Sequence, residues 1–407
     1  MPAPDGWWRG GTACSVASRL RGVADHDQGV PVEITLTDDQ AFFSETTRKF
    51  LLDKCALTTV RTFRHSPEGF DRDYWRQGAE LGWVSMLVPE ELGGGSVSGS
   101  GVVDLTLVAD AFGHGVAPGP LLPCNVVAAA LARAGSDEHQ GELLPALVAG
   151  ETVAAWVVGP PSGVGIRAGV RAEPDGDGFL LSGAEAPVEA AAQADVLLVT
   201  AALSDGGLVQ LVVAPDTPGI TIAPLDSIDL TRRYARVSFD NARADAPAVV
   251  GTPGQAAADV ERQLQLALVI LAAENVGAAQ AVFDLTLEWT FDRYSFGKPL
   301  ASYQAIKHRM ADMKMWLEAS HGLASAAARE VQSDAPTAGE TVSIAKAYQG
   351  EYLPALAQDC TQLHGGIGVT YEHDLNLFLR RITVDSVTHG SVSDHRLRVV
   401  SFREVAA

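Results

Sequence analysis

The sequence predicts an α+β multidomain chain: an N-terminal α-helical domain, a middle β-barrel or sandwich-like domain, and a C-terminal four-helix bundle. Three observations predict it. From about residue 37 apolar residues recur at helical spacing. Near residue 151 the texture changes to short runs rich in Val, Leu and Ile, separated by Gly, Pro and Asp. After Thr252-Pro253-Gly254 long helical patterns return. At 407 residues the chain exceeds what one simple core accommodates. The expected divisions are 34–150, 151–252 and 253–407.

Residues 1–33 fit none of these patterns and lack the sustained apolar core of a signal peptide. They read as a flexible extension or a mis-assigned start. Thr37 is the expected N-cap of the first helix, with Asp38 and Asp39 in its first turn, where the helix dipole favours anions. Phe42, Phe43, Phe50 and Leu51 supply its apolar spacing. PEELGGGS, 89–96, reads as a loop. GVVDLTLVADAFGHG and NVVAAALARAG read as helices, the second stopped by Gly135. In the middle part TVAAWVVGP, GFLLSGAEAPV, ADVLLVTAAL, GLVQLVVAP, GITIAPL and ARVSFDNARA are strand-like. DGDG, 175–178, is a hairpin turn. Four long helices are expected at 256–292, 302–332, 339–363 and 372–387, an antiparallel bundle.

Composition narrows the function classes. A formal net charge of −20 argues against a nucleic-acid or anionic-membrane surface. Hydrophobic residues make up 47%, enough for a large core. No apolar run reads as a membrane span of about 20 residues. Cys14, Cys55, Cys124 and Cys360 are far apart with no CxxC pair, so reduced thiols in a cytoplasmic protein are expected and a structural zinc site is not.

Two stretches carry chemistry. DRYSFGKPLASYQAIKHRMADM, 292–313, crowds Arg293, Ser295, Phe296, Tyr303 and Gln304 into one connection between helices. QLHGGIGVTYEHDLNLFLRR, 362–381, sets Gln362 at a helix end with Gly365 and Gly366 just beyond. An arginine can hold a pyrophosphate through parallel charge-assisted hydrogen bonds. Glycines let a backbone approach a phosphate closely. Alone, Gly365-Gly366 could simply end a helix and Arg293 could be a solvated surface residue.

Together the motifs RxxFGxxL…YQ and QxxGGxG resemble those of the acyl-CoA dehydrogenase family, and the resemblance runs from about residue 35 to the end. It implies FAD as cofactor, an acyl-CoA as substrate, α,β-dehydrogenation of the thioester, and tetramers built from dimers. It also implies an electron-transferring flavoprotein as the acceptor. In the family each FAD lies across a subunit interface, with its ring on one chain and its ADP portion clamped by the neighbour. On that pattern Arg293, Ser295, Phe296, Tyr303, Gln304, Gln362, Gly365 and Gly366 serve a neighbour's FAD. His364 matches too, or is simply a polar helix-end residue.

The ring-side residues depart from the family. Where xTEPxAGSD is usual, the chain reads WVVGPPSGVG, 156–165, with Val158 at the Thr, Gly159 at the Glu and Val164 near the Ser. In AEAPVEAAAQAD, 184–195, Pro187 takes a Trp position and Glu189 a Thr position. A carboxylate there would disfavour an anionic reduced ring. His389 stands at the catalytic Glu, followed by Gly390 and Ser391. QLQLALVIL, 263–271, offers no alternative carboxylate, and Glu261 is the nearest upstream.

Three readings follow. In the first, the chain is the Glu-lacking subunit of a heteromeric dehydrogenase, paired with a paralogous subunit that holds the ring and the Glu, for steroid side chains or other bulky acyl groups. In the second, it is a homomeric flavin oxidoreductase with His389 as base, since imidazole titrates near 6.5. In the third, it is a non-catalytic scaffold.

Overall fold

The computed structural model describes residues 36–63 and 66–406. The extension expected at 1–33, and Cys14 within it, lie outside the described residues.

Helices α1 (Asp38–Lys54), α2 (Leu57–Phe63), α3 (Arg72–Glu80), α4 (Gly101–Gly115), α5 (Leu121–Ala134) and α6 (Leu144–Val148) come first. Thr37 caps α1 in a reciprocal capping box with Gln40. The Gln40 amide then donates to buried Asp104 on α4 at 2.7 Å, so the cap also sets the packing partner. Gly135 ends α5 as expected.

The strands are β1 (Ala154–Val157), β2 (Pro161–Ser162), β3 (Gly165–Ile166), β4 (Val170–Asp175), β5 (Gly178–Glu189), β6 (Val196–Ala202), β7 (Leu208–Val213), β8 (Ile220–Leu225), β9 (Tyr234–Ala244) and β10 (Val249–Val250). DGDG forms the β4–β5 hairpin, with Asp175 opposite Gly178. The main sheet runs β10-β7-β6-β4-β5-β9-β8, and β1 pairs in parallel with β6. A single pairing, Arg171 with Ala202, joins β4 to β6. Two four-stranded halves thus meet at one bridge and share one apolar core. The path ends at β8 and β10 and does not close, so the barrel alternative is not what forms. Closure would need those two edges to pair.

Beyond the sheet lie α7 (Ala257–Asp292), the hairpin β11 (Tyr294–Ser295) and β12 (Lys298–Pro299), α8 (Gln304–Gln332), α9 (Ala338–His364), α10 (Leu375–Asp385) and α11 (Val392–Ala406). The four expected helices are all present, and α11 is a fifth that the periodicity did not reveal. Arg398 on α11 is fully buried and pairs with Glu261 on α7 at 2.8 and 2.9 Å. Buried cations on a polar helix hide the apolar repeat that sequence reading relies on. Helix α7 does contain an 18-residue window apolar enough to cross a membrane, contrary to the reading of the sequence, but 89% of that window is buried inside the protein. Helices α4 and α7 touch through glycines. A Cβ on Gly113 would lie 1.8 Å from the Glu274 carbonyl oxygen, and one on Gly277 would lie 2.1 Å from that of Asp110. One apolar core runs from α1–α5 through α7–α9.

A buried ionic cluster joins the three regions. Arg232, preceding β9, pairs with Glu274 on α7, with Asp385 on α10 at 3.3 Å and with Glu189 on β5 at 3.4 Å. Arg381 on α10 pairs with Glu274 and, at 2.6 Å, with Asp229. It also donates to the Ala117 carbonyl at 3.4 Å. Lys346 on α9 donates to the Asp385 carbonyl. Burial raises the Glu189 and Asp385 carboxyls and lowers the Lys346 ammonium. Removing one partner of such a cluster strands a buried charge. Arg381→Met is therefore expected to destabilise the fold by about 3–5 kcal/mol, read as a lowered urea midpoint followed by circular dichroism.

Candidate active site and nucleotide clamp

The two motif stretches meet at one end of the helical bundle. Arg293 ends α7 and is exposed. Its backbone enters the two-residue hairpin β11–β12, whose turn residues Phe296 and Gly297 have φ of 50° and 83°. Both central residues of a type I′ turn need positive φ, which Gly accepts readily and Phe does not. Phe296 is 96% exposed. Tyr303 donates its hydroxyl hydrogen to the Ser295 carbonyl at 2.7 Å and lies under the Lys298 ammonium, 4.3 Å from the ring centre. Gln304, at the start of α8, contacts the His308 ring at 2.8 Å.

Gln362, Gly365 and Gly366 lie at the end of α9; the two glycines are exposed. Gly365 has φ 66°, and a Cβ on either glycine would meet no atom of the described residues within 4 Å. The surface above them is open. Ile367 and Val369 beside them are exposed as well. His364 is buried: its Nδ1 lies 2.9 Å from the Cys360 carbonyl, and its ring stacks on Trp289 at 5.0 Å and 17°. It is a packing residue.

Trp289 ties the two motifs together. Its Nε1–H donates to the Leu363 carbonyl at 3.2 Å, and the Arg293 guanidinium sits 6.0 Å from its ring centre. Sequence reading passed over it, because an isolated Trp near a helix end carries no pattern of its own.

The other predicted position, His389, lies elsewhere. It follows α10 with φ 55° and lines a cavity of about 140 Å³ together with Trp156, Val158, Gly159, Pro187 and Glu189. Its ring packs on Trp156 at 5.3 Å. His395 of α11 has its Nε2 2.9 Å from the His389 carbonyl. Burial, with repulsion from Lys346, His395 and Arg232, pushes the His389 imidazole down to about 3. A base that releases its proton so readily is a poor acceptor for the weakly acidic α-proton of a thioester.

The walls of this cavity are unequally committed. Glu189 faces Arg232 of the ionic cluster at 3.4 Å, and neither of its buried carboxylate oxygens makes a hydrogen bond among the described residues. Glu185 accepts from the Gly169 amide. A Cβ on Gly159 would lie 1.9 Å from the Arg167 carbonyl oxygen, so a glutamate there would require the backbone to shift. Val164 sits at the tip of the β2–β3 hairpin, whose Gly163 carbonyl is held by Arg398 at 2.8 Å. Glu261 is held by that same Arg398 and does not line the cavity.

Residues 37–151 match the family model for the acyl-CoA dehydrogenase N-terminal domain, and residues 257–401 match the model for the C-terminal domain. The chain belongs to the acyl-CoA dehydrogenase family. Members are oxidoreductases acting on CH–CH bonds. The chain is 29% identical to the acyl-CoA dehydrogenase IpdE2 of Mycobacterium tuberculosis over 364 residues, 88% of this chain and 93% of that protein. It superposes with a TM-score of 0.83 and 26% identity on a chain of the ChsE4-ChsE5 complex of M. tuberculosis, covering 92% of this chain and 99% of that one. A chain from a variant of the Tcur3481-Tcur3483 steroid ACAD superposes with a TM-score of 0.82 and 28% identity, covering 92% and 100%.

The cofactor of the family is FAD, and the two ends of this chain suit it unequally. The open glycine cradle and exposed Arg293 suit a pyrophosphate. The His389 cavity, about 140 Å³, is smaller than the roughly 300–1,000 Å³ of ordinary ligand sites.

The depressed imidazole has a consequence for stability. Between about pH 6.5 and 3 the unfolded chain takes up a proton at His389 that the native chain refuses. This residue's contribution therefore makes native stability fall as pH drops below 6.5. His389→Phe should flatten that fall by up to about 1.4 kcal/mol per pH unit. Urea unfolding of the two proteins between pH 7 and 5 checks this.

Proposed function

We propose that this chain is the Glu-lacking subunit of a heteromeric, FAD-dependent acyl-CoA dehydrogenase. A paralogous subunit would hold the flavin ring and the catalytic Glu. This chain would contribute Arg293, Ser295, Phe296, Tyr303, Gln304, Gln362, Gly365 and Gly366 to the ADP end of that subunit's cofactor. The observation that carries the reading is the contrast between the ends: the glycine turn beside Arg293 is open and exposed, while the His389 cavity is only about 140 Å³ and its imidazole is pushed down to about 3.

Phe296 adds weight. A bulky residue with positive φ and nearly full exposure bears two costs that a cofactor or partner surface would offset. Trp289 would hold Arg293 and the glycine turn in register. FAD, when bound, supplies the acceptor for the β-hydride, and the partner's Glu takes the α-proton. The resemblance to a steroid ACAD favours bulky acyl-CoA substrates, and an electron-transferring flavoprotein is the proposed electron acceptor. The low proton affinity of His389 weighs against the homomeric reading in which it is the base.

Flavin content tests this. The chain purified alone and desalted should retain little FAD, whereas co-expression with a Glu-bearing paralogue should yield a yellow complex bleached by acyl-CoA. In that complex Arg293→Ala should weaken FAD retention by about 1.5–3 kcal/mol, roughly 10- to 150-fold, and His389→Ala should leave the bleaching rate nearly unchanged. Near one flavin per lone chain, or a large rate loss in His389→Ala with flavin still bound, would overturn the proposal.

A further inference from the structure

A second cavity, of about 450 Å³, lies away from both ends of the candidate site. It opens between the loop that precedes α4, the C-terminal half of α5 and the first turns of α7. Its volume falls within the ordinary range of small-molecule sites. The space exists because α5 turns Ala129, Ala130 and Ala132 toward it. Its floor is apolar: Met86, Val88, Val102 and Leu266 are all buried.

The polar groups at its rim are unequally satisfied. Arg133 is paired with Asp259 at 2.9 Å. The Gln332 side-chain oxygen accepts from the Val102 amide at 2.8 Å. Gln263 exchanges a reciprocal pair of amide hydrogen bonds with Gln210, each 2.7 Å, so its polar end faces the sheet. Glu90 is exposed to solvent. Arg262 differs from these. Its Nη1 is buried and makes no hydrogen bond among the described residues. Its ion partner there, Asp334, lies at 3.3 Å and is 72% exposed. A guanidinium carries five N–H donors, and leaving a buried one without a hydrogen bond is costly. Burial lowers the Arg262 guanidinium accordingly.

We propose that this cavity is a second ligand site, separate from the His389 cavity, for an amphipathic organic carboxylate whose apolar body lies on Met86, Val88 and Leu266 and whose carboxylate pairs with Arg262. The geometry matches the ligand class. An apolar floor and one under-used guanidinium at the rim select a molecule with an apolar body and a single anionic head. The site uses no residue of the nucleotide clamp, so it can be tested on the chain without flavin.

Isothermal titration of the full-length chain with dodecanoate, below its micelle concentration and at low salt, tests it. One saturable site per chain is expected. Arg262→Gln should weaken binding at least tenfold, and Ala129→Phe, which fills the cavity, should abolish it. Dodecyltrimethylammonium, with the same tail and the opposite charge, should not bind at this site. Circular dichroism confirms that each variant is folded. The absence of saturable binding to the folded wild-type chain would overturn the proposal. So would dodecanoate affinity unchanged in both folded variants, or binding lost instead in His389→Trp, which would place the ligand in the other cavity. None of these outcomes bears on the heteromer, which flavin content decides.

Discussion

The arrangement of this protein depends on one buried ionic cluster. Arg232 and Arg381 each reach Glu274 in the middle of α7, and from there they engage Asp385, Asp229 and Glu189. Three elements that share no local sequence are fastened at one point: the sheet, the long central helix and α10. The close contact of α4 with α7 at Gly113 and Gly277 brings the N-terminal helices onto the same stretch of α7, and Arg381 touches the Ala117 carbonyl. Side chains of any size at those glycines would hold the helices apart.

The cluster also shapes what the chain can do chemically. With Lys346 included, three cations face four carboxylates in a region closed to water. Burial therefore favours the protonated form of Glu189 and Asp385. Burial and the positive groups next to His389 do the opposite to its ring and hold it neutral. The charged groups of the junction thus disfavour His389 as a base. At the far end of α7 the described residues leave the surface open. There Trp289 holds an arginine and a glycine turn side by side, with both facing outward.

Most of the fold was legible in the sequence. Helical spacing located α7, α8, α9 and α10 to within a few residues, and DGDG marked the β4–β5 turn. These are local signals, carried by neighbours along the chain. Helix α11 was missed because its contribution to packing is the buried Arg398, which reads as a surface residue in a one-dimensional pattern. The middle sheet stays open because its edge strands β8 and β10 do not pair with each other, a feature of tertiary arrangement that strand propensity does not encode.

The sequence by itself determined the order of helical, β and helical regions, and which residue types stand in the two motif stretches and at Val158, Gly159, Pro187, Glu189 and His389. Each of these is a matter of residue type and spacing. Only the tertiary structure decided what surrounds those residues. It turned Glu189 toward Arg232, drained the proton affinity of His389, reduced the space beside it to about 140 Å³, and left Arg262 facing a larger cavity. The reason is that pairing and burial are long-range: Arg232 and Glu274 are 42 positions apart, and Arg381 and Asp229 are 152 apart. Charge and solvent access at a site follow from which distant segments fold over it, and no local pattern carries that information.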